Sequence, residues 1–85
     1  MTEILAVFRS RSQAMDCFSR LKTLGISAQL INTPKEANVG CGLSIKFAHS
    51  AAMRAKKFIS KANYSAFYGY MKIENRHGRL FINGF

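Results

Sequence analysis

The stretch Ile26-Ser27-Ala28-Gln29-Leu30-Ile31-Asn32-Thr33-Pro34-Lys35-Glu36-Ala37-Asn38-Val39-Gly40-Cys41-Gly42-Leu43-Ser44-Ile45-Lys46-Phe47-Ala48 decides the fold. Two apolar runs of strand length, Ile26 to Ile31 and Leu43 to Ala48, flank a segment from Lys35 to Gly42 that reads as loop. Asn32-Thr33-Pro34 breaks the first run. Parallel neighbours need a long crossover, usually a helix, and there is none between these two strands. They are therefore expected to be antiparallel, which argues against a wholly parallel sheet.

Upstream, Glu3 to Phe8 is a short apolar run suited to a central strand covered on both sides. Ser10-Arg11-Ser12-Gln13 has the form of a capping box, with Ser10 capping the first turn and Gln13 reaching back. The helix that follows places Ala14, Cys17, Phe18, Leu21 and Leu24 on one face, and Gly25 supplies a left-handed stop. In this pattern Cys17 reads as a small buried apolar side chain.

Downstream, Ser50 opens a second helix with Ala51, Ala55, Phe58, Ile59 and Ala62 inward and Arg54, Lys57 and Lys61 outward. Asn63-Tyr64-Ser65 reads as a turn. Ala66 to Glu74 alternates as a half-exposed strand, with Phe67, Met71 and Ile73 on one side and Tyr68, Tyr70 and Lys72 on the other. Asn75-Arg76-His77-Gly78 then forms a turn into a short fifth strand, Arg79 to Ile82. The order predicts an α+β, ferredoxin-like split βαβ fold (βαββαβ): an antiparallel sheet, two helices on one face and a short extra C-terminal strand. Residues 1–85 are read as a single domain, with a core over 4–74 and an extension over 76–85.

Composition sets the outer bounds. The 85 residues are 48% hydrophobic with one proline, which suits one packed domain rather than a disordered chain. No apolar run approaches the roughly 20 residues of a membrane span. The amino terminus lacks the basic-then-apolar layout of a secretory signal, so a cytoplasmic location and two free thiols are expected. The two cysteines are too few and too far apart for a zinc site without help, and His49 and His77 read as helix-entry and turn residues. No metal and no cofactor are expected. Thirteen Lys and Arg against four Asp and Glu give a net charge of +9, which attracts polyanions and acidic protein partners.

Cys41 is the candidate for chemistry. Gly40 and Gly42 remove side-chain bulk on either side of it and let the backbone turn or approach another group closely. In the expected topology the loop holding Cys41 lies at the same end as Arg9, Ser10, Arg11, Ser12 and the first N–H groups of the first helix. A helix amino terminus and nearby cations lower a cysteine pKa, and Lys35 in the same loop adds to this. The same Gly-Cys-Gly also fits a tight turn or bulge in which cysteine is only a small apolar filler.

Phe8-Arg9-Ser10, Ala14, the Thr33-Pro34-Lys35 step and Gly40-Cys41-Gly42-Leu43 resemble a family of small bacterial proteins described as putative selenium/sulfur carrier-like. Many of its members are of unknown function. The similarity runs from about Ile4 to about Ile73, and the Cys-Gly pair after the Thr-Pro-basic step is its most specific part. Lys35 stands where that family usually has arginine, and a serine is often found near the position of Asn38. The resemblance implies that Cys41 receives sulfur or selenium as a persulfide or selenosulfide and exchanges it with donor or acceptor proteins.

Two other readings stand beside this one. A nucleic-acid-binding module would stack bases on Tyr68 and Tyr70 and hold phosphates with Arg54, Lys57, Lys61 and Lys72. A protein-interaction module would use the sheet face that lacks helices, or the tail Leu80 to Phe85, to form a homodimer. A self-contained enzyme is not expected, because acids are few and His49 lies at the far end of its strand from Cys41.

Overall fold

A computed structural model describes residues 2–33, 42–76 and 79–84, with side chains through residue 73. Strand β1 spans Thr2–Phe8, helix α1 Arg11–Thr23, β2 Ala28–Asn32 and β3 Leu43–Ala48. A single 3-10 turn, His49–Ala51, leads into α2 at Ala52–Ala62, followed by β4 at Phe67–Arg76 and β5 at Arg79–Gly84. The five strands lie in the order β2-β3-β1-β4-β5, and every neighbouring pair is antiparallel. This is the expected α+β, ferredoxin-like arrangement with an added C-terminal strand. Among the described residues, no helix is long and apolar enough to cross a membrane.

Local chemistry accounts for where α1 starts and stops. The Ser10 hydroxyl accepts a hydrogen bond from the Gln13 amide at 3.3 Å, which satisfies one of the helix's unpaired donors. Gly25 takes φ +81, and the Gly25 and Ile26 amides donate to the Lys22 and Leu21 carbonyls. This is a Schellman closure, and Ile26 and Leu21, the residues its long bond joins, both belong to the core. Ile26 is thereby held by the helix end, so β2 begins at Ala28 rather than at Ile26 as the apolar run suggested. Leu24, the C-cap, is half exposed instead of packed inward.

Helix α2 buries Ala52, Ala55 and Ile59. The sequence pattern had placed Ala62 inward and omitted Ala52. Ala62 is exposed, one residue before Asn63 ends the helix at φ 53. Phe58 is only partly buried against the core.

The core has two unequal layers. On the helix side, Ile4, Ala6 and Phe8 of β1 join Leu43, Ile45 and Phe47 of β3, Ala14, Cys17 and Leu21 of α1, and the buried residues of α2. On the other side, Leu5, Val7 and Ile73 cluster with Ile31 and Met71. Leu5 and Val7, on the helix-free face, are both 0% exposed. The run Glu3 to Phe8 reads correctly as a strand buried on both sides.

One register shift corrects the reading of β4. Val7 pairs with Gly69 and Phe8 pairs with Phe67, so Tyr68 is an extra residue opposite the bond between them. Such a bulge resets the alternation of side chains. Phe67 and Tyr70 therefore pack on the helix-side cluster, while Met71 and Ile73 lie on the opposite side. The expected trio of Phe67, Met71 and Ile73 on a single face is divided by that one residue.

Candidate functional site

The site is built where the C-terminal end of β1, the first turn of α1 and the ends of β2 and β3 converge. Phe8, fully buried, pairs with Leu43 on one side and Phe67 on the other. Its ring makes edge contacts at 5.4 Å with Tyr64 and Phe67, and Phe67 continues the stack to Tyr70 at 4.8 Å. These aromatics pack together with the helix-side core.

Arg9 leaves the strand with its amide donating to the Ala66 carbonyl at 2.9 Å. Its guanidinium lies 4.7 Å from the centre of the Tyr68 ring, a cation–π contact that the sequence did not announce. Ser10 caps α1, and its hydroxyl is 3.0 Å from that of Ser12. The Ala14 amide donates to the Ser10 carbonyl and the Gln13 amide is capped, which leaves the Arg11 and Ser12 amides without an intrahelical acceptor. The first turn holds no acid, and Arg11 is exposed, so the positive end of the helix dipole is not offset within that turn.

Gln13 does not close the capping box. Its side chain crosses to the turn between α2 and β4: the amide nitrogen donates to Ser65 Oγ, and the carbonyl oxygen accepts from the Ala66 amide, both at 2.8 Å. This clamp satisfies a backbone donor on the turn in place of the Ser10 amide. No sequence signal separates it from a capping box, because the same S-x-x-Q spacing serves both.

Gly42 enters the same cluster from the other side. The Thr33 amide donates to the Gly42 carbonyl at 3.1 Å, extending the β2–β3 ladder by one step. A methyl group at Gly42 would lie 2.5 Å from the Phe8 carbonyl oxygen, so only glycine permits this close approach. The close contact is thus with the chain's own backbone. Thr33 Oγ1 and Ser44 Oγ are 2.7 Å apart, and Ser44 is fully buried. A serine within an apolar strand run was the available signal that a partner hydroxyl stood nearby.

Arg9, Ser10, Arg11, Ser12 and Gly42 therefore meet at one end of the molecule. Cys41, Lys35 and Gly40, the remaining members of the expected site, lie outside the described residues, as do His77 and the side chains of the tail. Among the described residues, no three His, Cys, Asp or Glu side chains are grouped to hold a metal ion.

Cys17 is the alternative thiol. It is 0% exposed, and burial pushes its pKa up to about 11 despite a hydrogen bond with Tyr64. A thiol that stays protonated and has no access to solvent is a poor nucleophile. Nearby, the Tyr64 hydroxyl donates to Asp16 Oδ2 at 2.8 Å, and Arg20 pairs with the same oxygen at 3.0 Å. Tyr64, then Arg20, hold the Asp16 carboxyl below the ordinary range, while burial, followed by the Asp16 bond, raises the Tyr64 hydroxyl. This cluster ties α1 to the turn before β4.

The residues considered for nucleic acid are distributed over β4 and α2. Tyr68 is 44% exposed and stands with Arg9. Tyr70 packs on the helix-side cluster, with the Lys56 ammonium 4.8 Å above its ring, and burial pushes its hydroxyl up to about 12. Lys72 pairs in register with Ile4. Arg54, Lys57 and Lys61 line a separate groove near the end of α1.

The family described as "Putative Se/S carrier protein-like" matches residues 3–68, a span that includes every residue of the site. No curated protein and no solved structure matches the chain.

Proposed function

Because this chain belongs to the putative Se/S carrier protein-like family, we propose that it carries a sulfur or selenium atom on Cys41 and relays it between donor and acceptor proteins. The Cys41 thiolate attacks the outer sulfur of a donor persulfide, R–S–SH. The donor S–S bond breaks, R–S⁻ leaves with the electron pair, and Cys41–S–SH forms. Charge and atoms balance, and no external oxidant or reductant takes part. The reverse exchange with an acceptor thiolate unloads the atom, and a selenosulfide donor reacts in the same way.

The observation that carries this reading is the seat of Gly42. The residue covalently joined to Cys41 is pressed against the Phe8 carbonyl, at the end of the molecule that also holds Arg9, Arg11 and the N-terminal turn of α1. That end suits a thiolate or a terminal persulfide anion, because cations and a helix amino terminus stabilise negative charge. A lysine at position 35 offers a point charge rather than a bidentate fork. The burial of Cys17 leaves the chemistry to Cys41.

Intact-mass spectrometry after incubation with a persulfide donor tests the proposal. Wild type gains about 32 Da per transferred sulfur, and Cys41→Ser gains nothing. Equal gain in both proteins refutes it.

A further inference from the structure

A second feature plays no part in the chemistry of Cys41. Between the end of α1 and the flank of α2 runs a groove of about 290 Å³, lined by Leu24, Ile26 and Phe58 together with Arg54, Lys57 and Lys61. Arg54 is anchored there, its Nη2 donating to the Leu24 carbonyl at 2.8 Å. The three cations recur at i, i+3 and i+7 on α2 and so share one stripe, about 10 Å long at the rise of an α-helix. No acid is among the described lining residues. Elsewhere in the described chain, Glu3 pairs with Lys46 and Asp16 with Arg20. Leu24 meanwhile leaves 47% of its surface open beside the cations.

A row of cations next to exposed apolar surface asks for an occupant with both characters. We propose that this groove docks an acidic amphipathic helix of a partner protein. Carboxylates three and four residues apart face Arg54, Lys57 and Lys61, and an adjoining leucine-sized side chain covers Leu24 and Phe58. A nucleic-acid backbone would meet the charges but leave Leu24 wet, so the peptide is the better match. The groove lies at the C-terminal end of α1 while Arg9 to Ser12 lie at its N-terminal end, so docking here is compatible with exchange at the other end. It does not depend on the sulfur chemistry.

The test uses full-length Cys41→Ser protein, so that thiol reactions cannot contribute, and a capped, fluorescently labelled helical peptide of about 15 residues. Its glutamates stand at i, i+3 and i+7 with leucines on the adjoining face. Anisotropy at physiological salt gives the affinity, and amide shifts give the location. Expected are shifts at Leu24, Ile26 and Phe58, and a loss of affinity of about fivefold or more in Lys57→Gln/Lys61→Gln. Leu24→Ser loses a similar factor. Arg11→Gln/Lys46→Gln, which removes the same charge elsewhere, stays within about twofold of the parent. Equal weakening by the two double variants overturns the proposal, as does stillness of the groove amides. Preferential displacement of the peptide by tRNA assigns the groove to nucleic acid instead and also overturns it.

Discussion

Replacing Gly42 by alanine should be among the most damaging single-methyl changes available to this chain. The added Cβ would sit 2.5 Å from the Phe8 carbonyl oxygen and 3.5 Å from Thr33 Oγ1. The first neighbour is backbone in a central strand, paired with β3 on one side and β4 on the other, and cannot rotate away. Relief requires β1 and β3 to part near Leu43, and overpacking of this kind costs about 1–3 kcal/mol. Against the roughly 4–13 kcal/mol that holds a domain of this size together, a cost of about 2 kcal/mol lowers Tm by about 8–16 °C. Urea and thermal unfolding followed by circular dichroism measure it directly. Gly25 provides the internal contrast: nothing lies within 4 Å of its Cβ position, and its penalty comes only from φ +81. Gly25→Asn, which tolerates the left-handed region, should therefore recover much of what Gly25→Ala loses, whereas Gly42→Asn should be no better than Gly42→Ala. A Gly42→Ala protein melting within about 2 °C of wild type would show that the close approach to Phe8 is not a constraint.

The thiols and the α1 clamp give two further outcomes. The Cys17 pKa is raised from 9.0 to about 11 in the folded state, so the thiol's contribution to stability is complete below pH 9 and is lost as pH rises through about 11. Wild type should lose Tm over that window more steeply than Cys17→Ala, and identical slopes would contradict the burial argument. Gln13→Ala removes two hydrogen bonds and strands the Ala66 amide, costing about 1–2 kcal/mol and speeding hydrogen exchange at Ala66, while exchange in mid-α1 keeps its rank. Unchanged exchange at Ala66 would mean the clamp is not formed in solution.

The architecture was legible wherever a pattern spanned several residues. The uninterrupted apolar run before Phe8 announced a strand buried on both sides, and the missing helix before Leu43 forced antiparallel pairing. What escaped were single-residue events. The extra residue at Tyr68 reversed the facing of part of β4, because an alternation rule has no means of sensing a bulge. Gln13 was read as a local cap because its real partners, Ser65 and Ala66, are more than fifty positions away. The value of Gly42 was visible as a need for small size, but the Phe8 carbonyl that imposes it became apparent only once the strands were side by side. Of the expected site, the half contributed by β1 and α1 is on view, and the half between Pro34 and Cys41 lies outside the described residues.

The bonds at the root of that eight-residue segment have an architectural consequence. Asn32 faces Leu43 in register, the Thr33 amide holds the Gly42 carbonyl, and the two hydroxyls of Thr33 and Ser44 lock beneath them. The hairpin is thus fastened at its base, independently of whatever chain is spliced in above. Closure entropy grows only as the logarithm of length, about 0.6 kcal/mol for each doubling, so evolution or an engineer can lengthen, shorten or exchange the insert while the scaffold beneath it endures.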